Sequence, residues 1–209
     1  MLACTRQVLA MLDKTVELSH SQPKLRFPGQ GEWTYEDWLN FPNDGWKYEI
    51  IDGVLHMSPP PAIAHQDLSG GLFARMRIYA EDNDLGKVLE APCGVRLPNQ
   101  SVPVQPDIFF IKKEHFEIIR TQYVEGVPDL IVEILSPSNA SYDRETKFEL
   151  YQKAGVPEYW LVDYEAQTVE IFTLVKGTYT LTGHYTGDDK VTSTQLSGFK
   201  ITVKSLFKL

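Results

Sequence analysis

Three short runs constrain the fold more than anything else in this chain: PDIFFI at 106–111, DLIVEIL at 129–135 and EYWLVD at 158–163. Each is shorter than an ordinary helix and apolar at consecutive positions, so a strand built from it must be covered on both faces. Between the second and third runs, Asp143 reads as the N-cap of a helix ending at Ala154. Gly155 then stands where a helix stop favours glycine. Buried strands interleaved with a helix require a mixed α/β architecture.

The remaining segments fit around that centre. From Ala64 to about Asp82, Leu68, Leu72, Met76 and Tyr79 recur every three or four residues, which predicts a helix with one buried face and His65 near its start. YEII and VLHM flank Asp52-Gly53, a hairpin signal because both turn positions must tolerate positive φ. Thr34 followed by Asp37 predicts a capped short helix. Residues 87–97 predict a strand interrupted by Pro92 and Gly94. VEIFTLV and TYTLTGHY predict a hairpin around Lys176-Gly177, and FKITVKSLF predicts one more strand. The expected organisation is an N-terminal helix and connector over 1–31, a principal domain over 32–175, and a C-terminal β extension over 176–209 packed on it.

Composition narrows the function classes. The 209 residues carry 20 Lys plus Arg against 28 Asp plus Glu, a formal net charge of −8. Such a balance disfavours nucleic-acid binding by bulk electrostatics, but it leaves room for a local groove or a metal-bridged phosphate. Cys4 and Cys93 stand far apart without neighbouring Cys or clustered His, against a disulfide framework or a zinc site. No apolar run approaches membrane-helix length and no signal peptide is readable, so a cytoplasmic location is expected.

Charges placed in apolar company mark the candidate site. Alternation along DLIVEIL puts Glu133 on the face of Ile131 and Leu135, where an ionised carboxylate costs several kcal/mol unless paired or metal-bound. Asp107 opens PDIFFI and shares a face with Phe109 and Ile111. Two carboxylates on two short central strands can converge on one cation, and oxygen ligands suit Mg²⁺ or Mn²⁺. Lys147, Leu150, Tyr151 and Ala154 are spaced as one helical stripe, which turns Lys147 inward toward the same place. Each has an ordinary structural alternative: a turn residue for Asp107, a buried ion-pair partner for Glu133, and a snorkelling side chain for Lys147. Asp129, beside Pro128, reads as structural, and Ser136 and Ser138 read as loop caps rather than nucleophiles.

These residues resemble the active-site pattern of the PD-(D/E)XK nuclease superfamily. From Thr34 to about Phe172 the chain is similar to the bacterial Uma-type restriction-endonuclease family, through YEIIDG, VQPDIFF, His65 and the run VPDLIVEILSPSNASYDRETKFELYQKAGVPEYWLVD. The resemblance implies a restriction-endonuclease-like αβββαβ core with a mixed sheet flanked by helices. It implies Asp107 and Glu133 as metal ligands and Lys147 as their catalytic companion. The superfamily's lysine ordinarily follows the acidic residue by two, where this chain has Leu135. Lys147 in DRETK is the matching lysine, moved to the next helix. Glu49 in YEIIDG would be an additional metal-side carboxylate, with pairing to a surface lysine as its alternative. His65 would be an auxiliary group that binds phosphate or carries a proton, with a core histidine bonded to backbone as its alternative.

The leading expectation is thus a Mg²⁺-dependent endonuclease, with Mn²⁺ as substitute, cutting double-stranded DNA as a homodimer. A catalytically inactive interaction protein on the same scaffold is the competing expectation, favoured by the negative charge. A two-carboxylate glycosidase is the third, and it leaves Lys147 without a role.

Overall fold

A computed structural model describes residues 27–137 and 140–207. The helix expected near the N-terminus, Cys4 and Ser138 lie outside the described residues. After a short helix α1 (Tyr35–Leu39), a hairpin of β1 (Lys47–Ile51) and β2 (Val54–Ser58) leads into the long helix α2 (Ile63–Asp82). Then follow β3 (Gly86–Glu90), β4 (Val95–Arg96), β5 (Ile108–Lys112), β6 (Val124–Glu125) and β7 (Leu130–Leu135). A π-helical turn (Tyr142–Lys147) continues directly into α3 (Phe148–Ala154). The chain ends with β8 (Glu158–Asp163), β9 (Thr168–Val175), β10 (Thr178–Thr186), β11 (Lys190–Thr192), β12 (Lys200–Thr202) and the short α4 (Val203–Leu206).

Six strands form one mixed sheet in the order β10-β9-β8-β7-β5-β3. Only β7 and β8 run parallel, and the turn with α3 is the crossover between them. All six residues of β7 are buried, as a strand covered on both faces requires. Leu130, Val132, Ile134, Trp160 and Val162 pack with Leu68, Leu72, Met76 and Ala80 of α2 on one side. Ile131, Leu135, Tyr159 and Leu161 pack with Leu150 and Tyr151 of α3 on the other. No described helix is long and apolar enough to cross a membrane.

Several expectations meet the structure differently. The buried stripe of α2 steps by four residues to Ala80, while Tyr79 sits at its margin and donates its hydroxyl to the Ser197 carbonyl. The last predicted strand stops at Thr202, and Val203–Leu206 turn helical so that Val203 and Leu206 reach the α2 side of the core. Asp143 is not a helix N-cap. It lies inside the π-helical turn without a capping bond, because its carboxylate is taken by Lys147 at 3.2 Å instead of by backbone N–H groups. At the sheet's other end, β9 and β10 pair across Lys176-Gly177 and add two strands to the edge.

One carboxylate pins the C-terminal segment. Glu158, fully buried at the start of β8, accepts from Trp160 Nε1 and Ser193 Oγ at 2.7 Å each on Oε1. Its Oε2 accepts from the Thr194 N–H at 2.7 Å and from the Thr194 hydroxyl. Among the described residues, four donors and no cation satisfy it.

The β1–β2 turn has the expected positive φ at Asp52 (50°) and Gly53 (73°). The Gly53 carbonyl accepts from the Gly31 and Trp33 N–H groups, and a Cβ on Gly53 would lie 2.4 Å from the Gly31 oxygen. Gly155 also has positive φ, at 89°, but open space around it. Gly53→Ala should therefore lower the urea midpoint by the equivalent of about 2–3 kcal/mol, against about 1 kcal/mol for Gly155→Ala. Equal losses would show that the Gly31 contact yields without cost.

Candidate functional site

Asp107 sits one residue before β5. The β5–β7 pairing sets Ile108 opposite Val132 and Phe109 opposite Ile131. One more step of that register brings Asp107 opposite Glu133 on the same face, where paired Cβ atoms stand about 4.5–5.5 Å apart. The Asp107 Oδ2 accepts from the Ile134 N–H at 2.8 Å and lies 3.2 Å from His65 Nε2 in the first turn of α2. Burial alone would raise the Asp107 pKa. The bond to His65 and the charges of Lys47 and Lys147 prevail and hold it at about 2. The same carboxylate raises the pKa of His65 against the burial that would lower it. His65 is therefore a carboxylate partner, not a core histidine bonded to backbone.

Glu133 is buried in the middle of β7. Its Oε1 accepts from the Tyr151 hydroxyl at 2.7 Å and from Lys147 Nζ at 2.9 Å. Lys147 Nζ is also 3.2 Å from Asp143 Oδ1 and 3.7 Å from Glu49 Oε2. Glu49, on β1, accepts from the Gln105 N–H through Oε1, while its Oε2 also lies 3.6 Å from Lys47 Nζ. It pairs with a buried lysine and a half-buried one, so a simple surface pairing does not describe it.

The buried charges do not cancel. Glu49, Asp107, Glu133 and Asp143 face the buried ammonium of Lys147, the half-buried Lys47 and His65. Lys147 is held charged: burial would lower its pKa, but Glu133, Glu49 and Asp143 raise it well above the ordinary lysine value. Glu133 absorbs the excess, pushed up to about 8 by burial and by Asp107 and Asp143, which Lys147 only partly offsets. Glu49 goes the other way, its burial overcome by Lys147, Lys47 and the Gln105 N–H.

Glu49, His65, Asp107, Glu133, Asp143 and Lys147 all line one cavity of about 590 Å³. A second cavity, about 540 Å³ between the β1–β2 turn and α3, contains none of them. Among the described residues, no three His, Cys, Asp or Glu side chains form a closed cation cage. The donor set nevertheless fits an open one. The hydrogen bonds to Asp107 fall on Oδ2 and those to Glu133 on Oε1, which leaves Oδ1 and Oε2 as hard oxygen donors. Mg²⁺ is ordinarily held by one or two carboxylates, with water and substrate completing its shell.

Sequence patterns did not single out Lys47 as a site residue, and they placed Tyr151 on the right face only as an apolar residue. The spacing of four from Lys147 to Tyr151 and from Asp143 to Lys147 was the available signal. Asp129 takes the structural part expected of it, accepting from the Lys112 N–H and pairing with His115.

The sequence profile of the Uma2 family, described as putative restriction endonucleases, matches residues 34–204. The chain belongs to that family. No curated protein matches it. Among solved structures, it is similar to a putative nuclease of the DUF820 group from Anabaena variabilis ATCC 29413. That match has a TM-score of 0.69 at 18% identity and covers 83% of this chain and 97% of the other. The nuclease-like fold expected from the Uma2 resemblance is thereby shown. The type IIG restriction endonuclease BpuSI aligns with a TM-score of 0.33 at 15% identity, over 54% of this chain and 11% of its own, too little to bear on the fold.

Removing the ammonium while leaving its carboxylates buried should be costly. Lys147→Met is expected to destabilise the protein by about 3–5 kcal/mol, and adding Glu133→Gln should restore part of the loss. A double variant no more stable than Lys147→Met alone would mean that Glu133 does not carry the excess charge.

Proposed function

We propose that this Uma2 protein is a divalent-metal-dependent endonuclease that hydrolyses phosphodiester bonds in nucleic acid. The supporting observation is the meeting of Asp107, Glu133 and Lys147, from two strands and a helical turn, on one cavity, with an oxygen of each carboxylate free of hydrogen bonds from the described residues. Asp107 and Glu133 would hold Mg²⁺, with Mn²⁺ as substitute, and Glu49 would contribute to the metal side through its charge. When bound, the ion supplies Lewis-acid charge to a phosphodiester and acidifies water. His65 fixes the orientation of Asp107 by occupying Oδ2, which turns Oδ1 to the cavity. Lys147 brings a permanent positive charge beside the place where charge develops on the reacting oxygens. Asp143 and Tyr151 hold Lys147 and Glu133 in place. The proposed substrate is double-stranded DNA, cut by a homodimer.

One observation favours a second reading, a catalytically inactive interaction protein. The Lys147 ammonium already satisfies part of the carboxylate cluster from within. The two readings separate cleanly. With Mn²⁺ soaked into crystals, anomalous density beside Asp107 and Glu133 is expected, and it should vanish in Glu133→Gln. Both carboxylates without an ion would favour the interaction protein.

Cleavage supplies the direct test. Duplex DNA should be cut in Mg²⁺ and spared in EDTA, with Asp107→Asn and Glu133→Gln each slower by about 10²–10⁴-fold. Cleavage at the wild-type rate in both variants would place the chemistry elsewhere.

A further inference from the structure

The roles assigned so far use the carboxylates, Lys147, His65 Nε2 and Tyr151, and leave two buried polar atoms without a purpose. Among the described residues, His65 Nδ1 and the Tyr142 hydroxyl are the buried side-chain atoms lacking any hydrogen-bond partner in the protein. Both residues line the cavity that contains Asp107 and Glu133. A hydroxyl kept dry without a protein partner costs free energy, so its retention calls for something else to satisfy it.

The Tyr142 ring is held from two directions. His56 stacks on it at 4.2 Å between centroids, and Lys147 Nζ lies 5.3 Å from its centroid. Tyr142 also opens the π-helical turn that carries Asp143 and Lys147, so its placement is tied to theirs. Glu49, Glu133 and Asp143 are close enough to act on it electrostatically, yet its hydroxyl donates to none of them.

The cavity gives such a donor a use. Among the described residues its lining includes five carboxylates, at Glu49, Glu90, Asp107, Glu133 and Asp143, but only Lys47 and Lys147 as permanent cations. Lys147 is already engaged by three of the acids. An incoming phosphodiester therefore needs neutral donors, and a tyrosine O–H, protonated at neutral pH, is one.

Resting on the nuclease reading, we propose that the Tyr142 hydroxyl is a substrate-binding group that donates to a non-bridging oxygen of the phosphodiester and seats it beside Asp107 and Glu133. His56 and the Lys147 ammonium hold the ring in place for this contact.

Tyr142→Phe removes only the oxygen. The experiment measures binding of a 12-base-pair DNA duplex in Ca²⁺, single-turnover cleavage in Mg²⁺, and Tm, for wild type and Tyr142→Phe. The expected result is binding or single-turnover cleavage weaker by about tenfold or more, with Tm unchanged or raised, because no bond within the protein is lost and an unpaired buried hydroxyl is removed. A variant that binds and cuts like wild type overturns the inference and leaves the nuclease reading intact. A large fall in Tm overturns it too, since the hydroxyl would then be structural. A wild-type protein that neither binds nor cuts duplex DNA or RNA removes both the inference and the reading on which it rests.

Discussion

Lys147 carries its ammonium inside the protein with Glu133, Asp143 and Glu49 at 2.9, 3.2 and 3.7 Å. Withdrawing an ammonium from water costs several kcal/mol, recovered only when its partners are already in position. Those partners come from the central strand β7, the π-helical turn and the separate hairpin strand β1. The hairpin belongs to a two-stranded sheet of its own, so this charge is one of the ties that hold it against the main sheet. Lys47, on the same strand, adds a second tie by donating to the Gln105 carbonyl.

Topology puts the charges within reach of each other. The β7–β8 pair is parallel, so the chain must cross over one face of the sheet between them, and the described part of the crossover carries a π-helical turn ahead of α3. The Tyr159 hydroxyl donates to the Asp143 carbonyl at 3.1 Å and fastens that turn to β8. On the antiparallel side, β5 brings Asp107 opposite Glu133. Adjacent carboxylates with too little positive charge between them are a standing electrostatic cost, of the kind that functional sites retain and ordinary cores discard.

Much of this was legible because burial and alternation are local properties. Glu133 had to share a face with Ile131 and Leu135, and Asp52-Gly53 had to turn, whatever the rest of the chain did. Helical spacing turned Lys147 toward Asp107 and Glu133, and the Uma2 resemblance added the reason to read the three as one site. What stayed hidden depended on how the folded core arranges these groups. Asp143 has the residue type and position of an N-cap, and only the proximity of Lys147 inside a folded core diverts its carboxylate. Glu49 could equally serve a metal or pair with a surface lysine, and the docked hairpin gives it a buried partner, Lys147. Tyr151 read as one position of a helical stripe and Tyr142 as the end of a polar loop from Ser136, although their hydroxyls meet opposite circumstances: Tyr151 donates to Glu133, while Tyr142 has no partner among the described residues.

Glu158 bears on the order in which the chain can become a protein. Three of its four donors come from Ser193 and Thr194, 35 and 36 positions downstream. A nascent chain that has emerged only as far as β8 offers this carboxylate Trp160 but neither of those residues, so burying the start of β8 at that stage would strand a charge. The strand at the middle of the sheet therefore reaches its final environment only after Thr194 has been made. The residues around Lys147, by contrast, have all been made by Tyr151.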